Sequence, residues 1–305
     1  MKKIRMAFFA IATLALLATS TGCGGGGGSD DDDTPVSDFV AVPGATFNGT
    51  ADITGSGVFI AGRTVTIPSL LVCDHEVTQG EYEQYCSYGG SSPNTTYGKG
   101  SSYPAYYVSW YDALVYCNKR SLAEGRTPCY KINGKTNPSE WGTVPTRSNP
   151  TWNSATCDFA ANGYRLPTEA EWEYLARGGS LTNNGQTTYS GNNDIESVAW
   201  YKGNAYDVGT SSPDYGTHPV KTKAKNALNL YDMSGNVYEW CWDRWSDTPT
   251  TSTPSSGAAS GSFRVLRGGS WDRNASACTV THRSFYFPHF RFSYLGFRVV
   301  CSRSE

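Results

Sequence analysis

The sequence has no basic cluster and little charge of either sign: 25 Lys and Arg stand against 27 Asp and Glu, a net charge of -2. That balance excludes the concentrated positive field a nucleic-acid partner requires. Histidine is scarce. His75, His218, His282 and His289 are the whole set, and they show no ligand-like spacing. After residue 38 there is neither an internal repeat nor a break in composition, so residues 39–305 read as one domain, long enough to bury one large core or two modest ones. Nor is there a comfortable membrane span, because the apolar run MAFFAIATLALLA at 6–18 falls short of the roughly 20 residues a spanning helix needs.

That run has another use. Lys2, Lys3 and Arg5 precede it and the small residues Ser20, Thr21 and Gly22 follow it, the succession of an export signal. The sequence GGGGGSDDDDTP then gives residues 23–38 the composition of a flexible, charged tether that cannot build a core. Beyond Cys23 there are eight cysteines, at 73, 86, 117, 129, 157, 241, 278 and 301. An even number in an exported chain favours disulfides, with a pairing that sequence does not give.

Thr78 with Glu81, Ser109 with Asp112, and Thr168 with Glu171 each place a hydroxyl three residues before an acid. These are capping boxes, and they predict three helix starts. The third helix, 168–177, is expected to be short and amphipathic, with Trp172, Leu175 and Ala176 on its apolar face and a stop at Gly178-Gly179. Long Gly-, Ser-, Asn- and Thr-rich stretches at 87–102 and 179–197 exceed ordinary connections and need packing, disulfides or metal to hold them. Strands are expected at 264–268 and 296–301, the second with Phe297, Val299 and Cys301 alternating against Arg298, Val300 and Ser302.

The segment after Phe263 interleaves two kinds of sequence. RGGSW, then Ala275, Cys278, Arg283, Pro288 and Arg291, then LGFRVV, make a spaced frame. Between them lie blocks of aromatic and small polar residues: Asp272, Arg273 and Asn274; Ser276 and Ala277; Ser284, Phe285, Tyr286 and Phe287; His289 and Phe290; Phe292, Ser293 and Tyr294. The blocks follow neither a helical nor a strand period. Large aromatics beside adaptable small polar groups are the chemistry of antibody-like binding surfaces; the competing reading is a core cluster with irregular loops.

Several fragments in order resemble the formylglycine-generating-enzyme, or sulfatase-modifying-factor, family. They are EVTQGEY at 76–82, PAYYVSWYDALVYCN at 104–118, YRLPTEAEWEYLARGG at 164–179, NLYDMSGNVYEWCWDRW at 229–245, RVLRGGSW at 264–271 and LGFRVV at 295–300. The resemblance implies an α+β, C-type-lectin-like fold with short helices, few strands and much irregular loop. Catalytic members of that family bind copper(I) through two thiols separated by four residues after the GGS motif, which here fall on Arg273 and Cys278. A guanidinium replaces one thiolate, so a copper-dependent cysteine or sulfur oxidase is the weaker expectation. Cys278 then reads as a disulfide partner or buried thiol rather than a reactive one. The same resemblance implies a calcium site at Asp232, Met233, Gly235, Val237 and Glu239, an oxygen donor set of the kind calcium takes. Alternatively, Asn236 and Glu239 tie that turn by hydrogen bonds. No other cofactor is required.

The frame itself is similar to the variable region of proteins diversified by retroelements, the treponemal variable protein among them. Randomised adenines in such genes never yield Lys, Glu, Gln, Met or Trp, and the blocks contain none of these. The resemblance implies a ligand-binding lipoprotein whose blocks within 272–294 are solvent-facing and contact an unidentified protein or other macromolecule. Ser20–Cys23 likewise resembles a bacterial lipobox, with Ser where Leu is usual. This implies loss of residues 1–22, a lipid on Cys23 and attachment to a bacterial membrane, the outer membrane at the cell surface. A non-variable envelope scaffold of the same fold is a third option.

Overall fold

Three helices begin where the hydroxyl–acid pairs predict. In the computed structural model, which describes residues 38–49, 57–182, 184–249 and 257–303, Gln79–Tyr85, Trp110–Ala123 and Glu169–Ala176 follow Thr78, Ser109 and Thr168. At each start the hydroxyl accepts from the backbone amide three residues on, and that residue's carboxylate accepts from the cap amide. Cys23 and the expected signal and tether lie outside the described residues, apart from Asp38.

The short third helix is not amphipathic. All eight of its residues are buried, including Glu169, Glu171 and Glu173. Each acid meets a guanidinium: Arg283 on Glu169, Arg165 on Glu171 at 2.7 and 2.9 Å, and Arg267 on Glu173. Charge pairing, not solvent, makes the polar side of this helix tolerable inside.

Two four-stranded sheets frame the molecule. In the first, Phe39–Val42, Leu70–Cys73, Val300–Ser302 and Tyr164–Arg165 lie side by side and antiparallel. In the second, Ser284–Tyr286, Arg264–Arg267 and Tyr238–Arg244 are antiparallel, and Leu295–Gly296 joins the last of these in parallel. The strand expected over 296–301 is therefore two short strands in different sheets, and the chain crosses between them at 297–299. Alternation fails there because Phe297, Arg298, Val299 and Val300 are all buried, with Arg298 made tolerable by Glu239.

One aromatic core gathers Trp110, Tyr116, Tyr130, Trp240 and Phe297; a second gathers Trp172, Leu175, Leu230 and Val265. The stretch 87–102 is held by hydrogen bonds: Tyr106 Oη accepts from Asn94 N at 2.8 Å, and Gln79 brackets the chain at Gly98 O and Gly100 N. In 179–197, Ser190 donates to Ala176 O at 2.8 Å. The eight cysteines from 73 to 301 are all free thiols, buried except Cys157, so the expected disulfides are absent among the described residues. No helix among them is long and apolar enough to cross a membrane.

Candidate functional site

The segment from Gly268 to Tyr294 leaves the strand Arg264–Arg267 through two glycines with positive φ, 92° and 75°. Gly269 has to be glycine, since a Cβ there would lie 2.5 Å from Cys278 Sγ. Trp271 is buried beneath the segment; its amide donates to Asn236 O at 2.8 Å and its indole to Ser293 O at 3.2 Å, tying both ends together. Ser284–Tyr286 pairs with the strand Arg264–Arg267.

Further on, the backbone is knitted into the scaffold by bonds that do not depend on side-chain identity. Pro288 O caps the first turn of the second helix by accepting from Trp110 N at 3.0 Å; Phe292 O accepts from Tyr107 N at 3.0 Å and Tyr294 O from Tyr238 N at 2.8 Å. The frame arginines finish the anchorage. Arg283 donates to both oxygens of Glu169 at 2.6 and 2.8 Å and to Ser246 O, and Arg291 to both oxygens of Asp112 at 2.6 and 2.9 Å. Trp271, Cys278 and Pro288 are buried.

None of the block residues is buried. Asn274, Ser276 and Phe285 are exposed; Asp272, Arg273, Ala277, Ser284, Tyr286, Phe287, His289, Phe290, Phe292, Ser293 and Tyr294 are half-buried. The expectation of mostly exposed side chains is corrected to this extent, and the cause is mutual stacking. Trp245 meets Phe285 at 4.5 Å between ring centres, Phe285 meets Phe263 at 4.8 Å, and Phe263 meets Phe287 at 4.4 Å. The series continues through Phe290 and Phe292 to Tyr294, over which the Arg273 guanidinium lies at 4.6 Å. Tyr286, Phe292 and Tyr294 also pack on the first core. Sequence reasoning missed Phe263 and Trp245, which extend this aromatic strip from outside the blocks; their positions, directly before RVLRGGSW and at the end of EWCWDRW, were the available signal.

The copper donor set does not fit. Arg273 presents a guanidinium, and Cys278 is fully buried with its thiol pushed up to about 12 by burial, so it offers no thiolate. Calcium fits no better. Both oxygens of Glu239 are taken by Arg298 at 2.7 Å, and one also accepts from Trp172 Nε1 at 2.7 Å. Asp232 accepts from Lys221 N at 2.8 Å, and the Val237 amide is held by Glu76 at 3.0 Å. Met233 and Gly235 lie in the same turn, which Asn236 closes by donating to Glu76 at 2.6 Å and accepting from His218 N at 3.0 Å. The turn is thus tied by hydrogen bonds, with Glu239 engaged by Arg298.

Among the described residues, one group of three metal-type side chains converges: Cys73, Asp74 and His75. It is an ion-pair node. His75 Nδ1 faces Asp74 at 2.5 Å and Nε2 faces Glu81 at 3.3 Å. Burial alone would lower the imidazole pKa, but the bonds to Asp74, Cys73 and Glu81 raise it to about 12. A doubly protonated ring has no lone pair for a metal.

The domain family described as sulfatase-modifying factor enzyme 1-like matches residues 28–303. The chain is 33% identical over 309 residues to the chaperone protein LppX of Paenibacillus barcinonensis, covering 97% of this chain and 98% of that one. It is 35% identical over 163 residues to the formylglycine-generating enzyme of Thermomonospora curvata, covering 48% of this chain and 52% of the enzyme, so it spans about half of that relative. Among solved structures, Treponema denticola variable protein 1 is similar with a TM-score of 0.70 at 33% identity, over 87% of this chain and 95% of that one. CarF is similar with a TM-score of 0.66 at 25% identity, over 88% and 98%.

Proposed function

The chain belongs to the sulfatase-modifying factor enzyme 1-like family, and from that premise we propose that it is a non-catalytic member that binds a macromolecular ligand through the blocks of 272–294. One observation carries the reading. The segment is fixed by its backbone bonds and by Arg283 and Arg291, while every block side chain keeps some exposure. A surface built this way changes its side chains without unmaking its support. Arg273 in place of a thiol, and a buried, protonated Cys278, support the absence of thiol-oxidase chemistry. Similarity to a variable protein and, over nearly the whole chain, to a protein named a chaperone agrees with a binding role.

Diversification of the blocks by a retroelement and lipid attachment at Cys23, at the cell surface on the outer membrane, complete the proposal. The test is selection of peptide ligands against the mature protein, followed by their titration on Phe285→Ser and on Asn274→Ala with Ser276→Ala. Loss of binding on the block variants is expected, with Lys131→Ala, an exposed residue elsewhere, unaffected. Ligands indifferent to all block changes would remove the reading. Cys23→Ala should release the protein from membranes, and a reverse transcriptase beside a near-copy of the 3′ end of the gene should accompany it.

A further inference from the structure

Three arginines stand between 272 and 294, and they are not equivalent. Arg283 and Arg291 are each spent on a buried carboxylate by two short bonds. Arg273 meets a carboxylate only loosely: Asp272 Oδ1 lies 3.5 Å from its Nε and already accepts from Ser270 Oγ at 2.7 Å, while its side chain also bonds Tyr294. The separation from Asp272 is well beyond the roughly 2.7–2.9 Å of a strong charge-assisted bond. Backbone bonds on both sides of Arg273 fix where its side chain starts: its amide donates to Ser270 O at 3.0 Å, and its carbonyl accepts from Lys202 N at 2.9 Å. The guanidinium rests on the Tyr294 ring, and its side chain is 40% exposed.

Beside it opens a cavity of about 230 Å³ lined by Tyr238, Leu266, Arg273, Ser284, Phe285, Tyr286 and Tyr294. Its size is below the roughly 300–1,000 Å³ of pockets for drug-sized ligands, which makes it room for a single residue. Tyr238 and Leu266 form a buried floor from the second sheet, while the walls come from the blocks. Aromatic rings and Leu266 supply the apolar part. The polar part is one cation and hydroxyls: Tyr238 is bonded to Ser284, and burial pushes both the Tyr238 and Tyr294 phenols up to about 12, so they remain protonated donors near Arg273.

Resting on the proposed binding role of this surface, the geometry points to a specific occupant: the C-terminal residue of a peptide, with an aromatic or large apolar side chain among the rings and its terminal carboxylate on Arg273. A carboxylate matches the planar fork of a guanidinium. An internal acidic side chain would satisfy Arg273 but leave the aromatic walls unfilled.

The probes are N-acetyl-phenylalanine, its amide, and N-acetyl-glutamic acid α-amide, titrated into the mature protein with the Tyr238 and Tyr294 resonances observed by NMR. The first should bind and shift both tyrosines; the amide, and the probe carrying only a side-chain carboxylate, should bind roughly tenfold or more weakly. Arg273→Gln should lose the preference for the acid over the amide. Because the Arg273 side chain is 40% exposed and makes no buried ion pair, that variant should melt as wild type does, and Arg273→Lys should recover part of the preference. Equal binding of acid and amide, an unaltered preference in Arg273→Gln, better binding of the glutamic probe, or no binding of any probe at millimolar concentration would each overturn carboxyl-terminus recognition. The broader binding role fails separately, on block variants that leave selected ligands untouched.

Discussion

Asp112 holds Arg291 with both carboxylate oxygens, at 2.6 and 2.9 Å, while the oxygen nearer Arg291 also accepts from the Ser109 amide at 2.8 Å. One acid thus closes a helix N-terminus and bolts the C-terminal segment to it.

Breaking that bolt should be expensive, because the partner is left charged and buried. Arg291→Ala is expected to lower stability by about 3–5 kcal/mol, read from urea denaturation. A loss under about 1 kcal/mol would show the pair to behave as an ordinary surface ion pair.

The aromatic strip should divide by depth. Phe285 is 39% exposed, and Phe285→Ser should change stability by less than about 1 kcal/mol. Tyr286 and Phe292 lean on the first core, so Phe292→Ser should cost roughly 1–3 kcal/mol, below the range for a fully buried Phe. Equal costs for Phe285→Ser and Phe292→Ser would contradict this ordering. Selected ligands should be lost from both.

Because Arg298 and Trp172 occupy Glu239, removing calcium with EGTA should leave the melting temperature unchanged. Glu239→Gln should lower it with or without chelator, since Arg298 would be left buried without its counter-charge. A chelator-dependent drop in the wild type would restore the calcium site.

Cys278 should resist iodoacetamide in the native protein and react on unfolding, because burial holds its thiol near 12. Incubation with copper and a cysteine-containing sulfatase-type peptide should leave the peptide mass unchanged. Formylglycine formed above a Cys278→Ser control would bring the enzyme reading back.

His75 gives a pH signature. Its folded pKa is about 12 against an ordinary 6.5, so its contribution is complete below 6.5 and is lost as pH rises through 12. The stability gap between wild type and His75→Gln should therefore narrow from pH 6 to pH 9. Equal gaps at the two pH values would mean that the imidazole is not held as a cation.

What was legible in the sequence was local or spaced. Thr78, Ser109 and Thr168 announce helix starts because a capping box is complete within four residues. The frame and blocks separate because Arg283, Pro288 and Arg291 recur in a pattern that periodicity cannot explain. What was hidden depends on distant partners. Glu169 and Glu173 look like a solvent face until Arg283 and Arg267, about a hundred residues on, are brought to them. Arg298 looks like the outward side of a strand for the same reason, with its partner at Glu239. The calcium expectation rested on residues of the right type, but Arg298 engages both oxygens of Glu239 and the Lys221 amide one of Asp232, partners that lie far off in the sequence or are backbone. Half-burial of the blocks was also hard to read, because it comes from rings such as Tyr286, Phe290, Phe292 and Tyr294 stacking on one another once the segment is folded back on itself.

The bolts at Arg283 and Arg291 discriminate between change of kind and change of number. Swapping a side chain between them leaves both guanidinium groups seated on Glu169 and Asp112. One inserted residue lengthens the span by up to about 3.3–3.6 Å, farther than a hydrogen bond stretches, and slips Pro288 O off the Trp110 amide as well. The segment is thus permissive toward the alphabet and strict about length.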